Sequence, residues 1–166
     1  MPGSAVISSL EGTRPILVEL QALVTPTSYG MPRRTAIGVD PNRVSLLVAV
    51  LEKKVGMTLA NQDIFVNVAG GVRVDEPAVD LGVVAAVASS FLDQPISSKT
   101  MVIGEVGLAG EVRGIHQAEI RLREAAKLGF RRCLLPETNR SRIAGDFGEL
   151  EITGVRSVEE ALEVLF

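Results

Sequence analysis

The chain has 166 residues, 46% of them hydrophobic and 22% charged, which fits one globular domain and excludes a disordered segment. Its formal net charge of −3 excludes a domain whose whole surface binds nucleic acid and leaves room only for a local basic patch. The sole cysteine, Cys133, and the sole histidine, His116, cannot form an intrachain disulfide or a His/Cys zinc site.

Residues 1–14 are small and polar and read as a linker or a cloning remnant, which leaves residues 15–166 as the domain. Ile16 to Val24 has the partial alternation of a strand. Thr25 to Pro32 carries two prolines and a glycine and reads as a loop, and Arg33 to Val39 is predicted to return as a strand pairing with the first. Asp40-Pro41 opens a helix, because the carboxylate caps free N–H groups and proline loses nothing at the first helical position. Val44, Leu47, Val48 and Leu51 share one face of it, and Gly56 stops it. Asp63 to Val68 alternates as a strand, followed by a turn at Ala69-Gly70-Gly71.

Pro77 to Leu92 is a helix of small apolar residues, suited to close packing on a sheet. Met101 to Val106 and Glu111 to Arg113 form a second predicted strand pair. A helix from Gln117 ends at Gly129, and Arg132 to Leu135 is a buried strand. Its Cys133 reads as a structural thiol rather than a reactive one. Thr138 to Gly145 is a short polar helix or loop, Leu150 to Ile152 a strand, and Val158 to Leu165 a helix capped by Ser157. Helices packed on a mixed sheet are the expected outcome.

The chemistry-bearing residues are sparse. Neither a G-x-x-x-x-G-K-[ST] loop nor a G-x-G-x-x-G fingerprint is present, and no G-x-S-x-G elbow holds a serine. Asp75, Glu76 and Asp80 flank Pro77, where acids favour the positive end of a helix more simply than they make an acid/base pair. Basic residues come as Arg33-Arg34, Lys53-Lys54, Arg131-Arg132 and the helical set Arg121, Arg123 and Lys127, read as solvated or interface charge. With 4% aromatic residues a base-stacking platform is poorly supplied, and Tyr29 is its one weak candidate.

Two segments carry a resemblance. Gly104-Glu105-Val106-Gly107-Leu108-Ala109-Gly110-Glu111-Val112-Arg113-Gly114-Ile115, with the helix and strand after it, resembles the proteolytic domain of Lon proteases, as does Val66 through Ala78. The resemblance implies an α+β, Lon-proteolytic-domain-like two-layer fold: a mixed sheet with packed helices. It also implies association in six-membered rings. The family's nucleophilic serine falls on Ala78, and its general-base lysine is placed at Glu119. A methyl group cannot attack a carbonyl, so the degenerate positions Ala78 and Glu119 imply no catalytic residue and no peptidase activity.

Thr27 through Asp40, Val72 through Ala78 and Arg123 through Phe130 are more specifically similar to the Lon-like C-terminal domain of the RadA (Sms) family of bacterial DNA-repair proteins. That resemblance implies a scaffold for a homo-hexameric ring within a longer protein that has a zinc finger and a RecA-like ATPase core. It implies work on single-stranded or branched DNA in recombination and branch migration, with a recombinase filament as a further partner. Neither zinc-finger cysteines nor a phosphate loop stand in this sequence, so ATP, magnesium and zinc are expected only outside it. Arg33, Arg34, Arg43 and Arg73 are the candidate DNA-contact or subunit-interface residues. No apolar run approaches the ~20 residues of a membrane span, and no signal-peptide pattern opens the chain, so the expected location is cytoplasmic.

Overall fold

The structure, a computed structural model, describes residues 1–28 and 30–166. Among these the strands are β1 (Ser4–Glu11), β2 (Arg14–Pro26), β3 (Arg34–Ile37), β4 (Gln62–Val68), β5 (Thr100–Val102), β6 (Glu105–Val106), β7 (Val112–Arg113), β8 (Arg132–Pro136) and β9 (Glu151–Val155). The helices are α1 (Pro41–Val50), α2 (Asp80–Leu92), α3 (Ala118–Lys127), α4 (Glu137–Arg140) and α5 (Val158–Leu165). Seven strands form one mixed sheet in the order β3-β4-β2-β1-β5-β8-β9, and β6 and β7 pair separately.

The first residues are no linker. Ser4–Glu11 enters the middle of the sheet, antiparallel to β2 and beside β5. Ala5 and Ile7 are almost fully buried on one face, and Glu11↔Arg14 closes a two-residue turn at Gly12-Thr13, with Gly12 at φ 65°. A glycine in a two-residue connection, between two alternating runs, is a hairpin signal that the small polar composition hides.

The predicted pairing of β2 with β3 is also corrected. β4 lies between them, antiparallel to β2 and parallel to β3. The stretch from Met101 to Val106 breaks after Val102, and Glu105 and Val106 leave the main sheet to pair with Arg113 and Val112.

α1 carries its cap as expected: the Asp40 side chain accepts from the Asn42 N–H, and Pro41 is the first helical residue. Val44, Leu47, Val48 and Leu51 are all buried, and the chain ends its last wide turn at Gly56, φ 81°. α2 buries every residue from Asp80 to Ser89. Each buried valine or leucine there contributes roughly 1.5–3 kcal/mol. The helix lies so close to β1 that a Cβ on Gly82 would overlap Cγ2 of Ile7.

The core has two parts. α1, α2 and α5 cover one face of the sheet, and their cluster includes Ile7, Leu20, Ile64, Val66, Val102 and Leu134. On the other face α3 packs Ala118, Leu122 and Ala125 against Met101, Cys133 and Leu135. Alternate residues of β5 and β8 thus serve opposite clusters, so the sheet is covered on both sides there and the two-layer expectation is exceeded. α3 reaches Leu17 in the first half of β2, but over the end of β2 and over β3 that second face is open, with Leu23 57% and Ile37 62% exposed.

Candidate functional site

The turn that carries Ala78 lies between the end of β4 and the start of α2. Pro77–Val79 forms one tight helical turn, where the missing proline N–H needs no partner. The Gly104 N–H donates to the Ala78 carbonyl at 2.9 Å, and the Leu81 N–H donates to the Gly104 carbonyl at 3.0 Å. These reciprocal bonds clamp the turn to the β5–β6 junction. A Cβ on Gly104 would meet Val112 Cγ1 at 3.0 Å, so the clamp closes over a bare Cα. Ala78 itself is 4% exposed.

Two ion pairs bracket this turn. Asp80, 1% exposed, accepts from Arg43 Nε at 2.9 Å and from the Val106 N–H at 3.1 Å, and it also pairs with Arg43 Nη2. Arg43 Nη2 further donates to the Val106 carbonyl at 3.0 Å. The hydrogen bond to Asp80 is the main cause holding the Arg43 guanidinium above its ordinary pKa.

On the other side Arg121, 1% exposed, pairs with Glu76 through Nη1 and, at 3.3 Å, Nη2. Its Nη1 also donates to the Ser8 carbonyl at 2.8 Å and its Nε to the His116 carbonyl at 3.1 Å. A cleft of about 280 Å³ opens beside this turn, lined by Asp40, Arg43, Arg73, Asp75, Glu76 and Asp80 among others.

This arrangement changes the reading of several residues. Glu119 pairs with Arg123 at 3.3 Å on α3, with its side chain about half exposed. The α3 side chain that reaches the turn is Arg121, which the sequence reading placed with surface charge. It stands on the same helical face as Ala118, Leu122 and Ala125, and that periodicity is the signal that could have found it. Glu76 and Asp80 are ion-pair partners first, whatever they add to the helix N-terminus. His116 is exposed, and its backbone carbonyl accepts from Arg121.

The four candidate contact arginines do not converge as a free cationic patch. Arg43 is committed to Asp80, and Arg34 donates to the carbonyls of Gln62 and Leu59, the latter at 3.2 Å. Arg73 pairs with Asp75 at 3.0 Å at the surface. Arg33 is 74% exposed and 3.5 Å from Asp63. Tyr29 lies outside the described residues. Among those residues no group of three or more His, Cys, Asp or Glu side chains is placed to hold a metal ion. No described helix is long and apolar enough to cross a membrane.

Residues 26–139 match the family model described as subunit ChlI of Mg-chelatase, and the chain belongs to that family. Over almost its whole length it is also homologous to part of the bacterial DNA repair protein RadA. It is 57% identical to RadA of Halalkalibacterium halodurans over 98% of this chain, which is 35% of that protein. The RadA of Bacillus subtilis is 56% identical over 96% of this chain and 35% of the relative. The RadA of Streptococcus pneumoniae is 47% identical over 99% of this chain and 39% of the relative. The chain thus spans little more than a third of the length of these relatives.

Proposed function

We propose that this chain is a non-catalytic, Lon-like domain that serves as a hexamer-forming scaffold within a DNA-repair ATPase. The observation that carries the reading is the state of the turn at Ala78. The residue where a nucleophile would stand is a buried methyl group with its carbonyl tied to Gly104. The nearest α3 cation, Arg121, has three of its nitrogens engaged by Glu76, Ser8 and His116, and a guanidinium does not give up its proton to act as a base. The homology to RadA supports a role in DNA repair. In this reading ATP, magnesium and zinc belong to parts of such a protein outside these residues, and the protein works in the cytoplasm.

The test pairs two measurements on the chain. Light scattering after size-exclusion chromatography is expected to report a hexamer at high concentration. Incubation with casein and fluorogenic peptides is expected to release nothing above the buffer blank. A monomer at every concentration overturns the scaffold reading, and turnover that disappears in a point variant of this chain overturns the non-catalytic one.

DNA-phosphate binding is the second reading, and one observation moves it away from Arg33, Arg34, Arg43 and Arg73. Arg123, Lys127 and Arg131 line a hollow of about 720 Å³ at the C-terminal end of α3, together with Asp146 and Glu149. The Lys99 ammonium stands 5.8 Å from the ring centre of Phe130, another lining residue. Lys99 and Lys127 have no ion-pair partner among the described residues. Binding of labelled single-stranded DNA that falls in Lys99→Glu/Lys127→Glu, and not in Arg33→Ala/Arg34→Ala, supports this patch. Equal binding by both variants removes it.

A further inference from the structure

Two apolar features of the surface, an exposed loop residue and a groove, stand without a partner among the described residues. The first is the loop leading into β3. Met31 is 86% exposed there, followed by Pro32 and by Arg33 at 74%. The loop is anchored from below: Asp63 accepts from the Arg33 N–H at 2.8 Å and from the Thr27 hydroxyl at 3.0 Å, and Arg34 grips the carbonyls of Leu59 and Gln62. The methionine is therefore an apolar knob on a fixed base, beside a cation.

The second place is a groove of about 500 Å³ under the end of α5, floored by Met57, Phe91, Leu92 and Phe166. Glu159 and Glu163 form its rim. They are one helical turn apart on α5, a like-charge spacing that destabilises a helix slightly. Neither has an ion-pair partner among the described residues. An apolar hollow with two uncompensated glutamates complements an apolar knob flanked by arginine.

We propose that a second copy of this chain seats its Met31–Arg33 loop in this groove, with Met31 over Phe91 and Phe166 and Arg33 against Glu159 and Glu163. The proposal rests on the assembly reading above and names the surfaces that would carry it. Within one chain the loop does not fill its own groove, since Met31 is 86% exposed. The two surfaces are unlike, so the contact is heterologous, the kind that builds a ring where the rotation closes. Methionine suits the role because its flexible thioether adapts to an irregular aromatic floor, and the anchored loop has little freedom left to lose on docking.

The test is the concentration dependence of mass, by light scattering, for the full chain and four variants, each first checked for an unchanged far-ultraviolet spectrum and melting transition. Met31→Asp, Arg33→Glu and Glu163→Arg are each expected to raise the concentration needed for association about tenfold. The double variant Arg33→Glu/Glu163→Arg is expected to recover association, because the swap restores the opposite charges between neighbours. Association that all four variants share with the parent chain overturns this interface and leaves the scaffold reading standing. A parent chain that stays monomeric overturns both.

Discussion

The guanidinium of Arg121 and the carboxylate of Glu76, 45 residues apart in sequence, form an ion pair beneath α3 that joins four parts of the chain. The same guanidinium holds the carbonyl of Ser8 in β1 and that of His116 in the loop before the helix. Removing the arginine strands three acceptors at once. Arg121→Ala is expected to lower the unfolding free energy by about 3 kcal/mol, the lower end for a broken buried pair, because Glu76 keeps a quarter of its side chain in water. Arg123→Ala, whose Glu119 partner lies at the surface, is expected to lose about 0.5 kcal/mol or less. Urea denaturation of both variants decides the point: similar midpoints would mean that the buried pair holds nothing together.

Gly82 presents two effects of opposite sign. Alanine in its place improves helix propensity by about 1 kcal/mol. The new methyl would overlap Ile7 Cγ2, and overpacking of this kind costs typically about 1–3 kcal/mol. The second effect wins, because the collision is with a fully buried side chain on a central strand that cannot move aside. Gly82→Ala is expected to melt at a lower temperature than the parent chain. The same substitution should be better tolerated in an Ile7→Ala background, which a double-mutant cycle measures directly.

How much of this was legible depends on whether the signal was local. The Asp40-Pro41 cap, the apolar face of α1 and the Ser157 cap, which accepts from the Glu160 N–H, are decided by neighbours in sequence and all appear as predicted. The place of β4 between β2 and β3 is not, because the alternation of Ile64, Val66 and Val68 says which face is buried and nothing about which strand lies alongside. β1 was lost to composition, since Ser8 and Ser9 look solvent-facing and are buried instead. The site behaved likewise. Acidic residues around Pro77 were visible, but their partners Arg43 and Arg121 come from distant helices, and only the fold brings them to that turn.

Asp63 gives the chain an acid-sensitive anchor. Its carboxylate is held below the usual range, first by the Arg33 backbone N–H and then by the Thr27 hydroxyl and the Arg33 charge. A depressed folded value means stability that is present above the unfolded value of about 3.9 and is lost as pH falls through the folded one. Acidification below about pH 4 is therefore expected to loosen residues 27 and 33 before the core. Asp63→Asn should flatten the dependence of the melting temperature on pH in that acid window. A variant that keeps the full acid-side slope would assign the effect to other carboxylates.

Cys133 marks the opposite extreme of accessibility. It is 0% exposed in β8, packed in the α3 cluster, and burial pushes its thiol far above the ordinary cysteine value. The thiolate is the reactive form, so both access and charge state protect this sulfur in the folded chain. At pH 8 a thiol reagent such as dithionitrobenzoate is expected to label Cys133 only as fast as the protein opens, and stoichiometrically in denaturant. Gly82→Ala should accelerate the labelling in step with its loss of stability, because both report the same opening of the sheet. Rapid labelling of the parent chain in native buffer would mean that α3 lifts from β8 on its own, and the protection would then belong to that helix rather than to the whole fold.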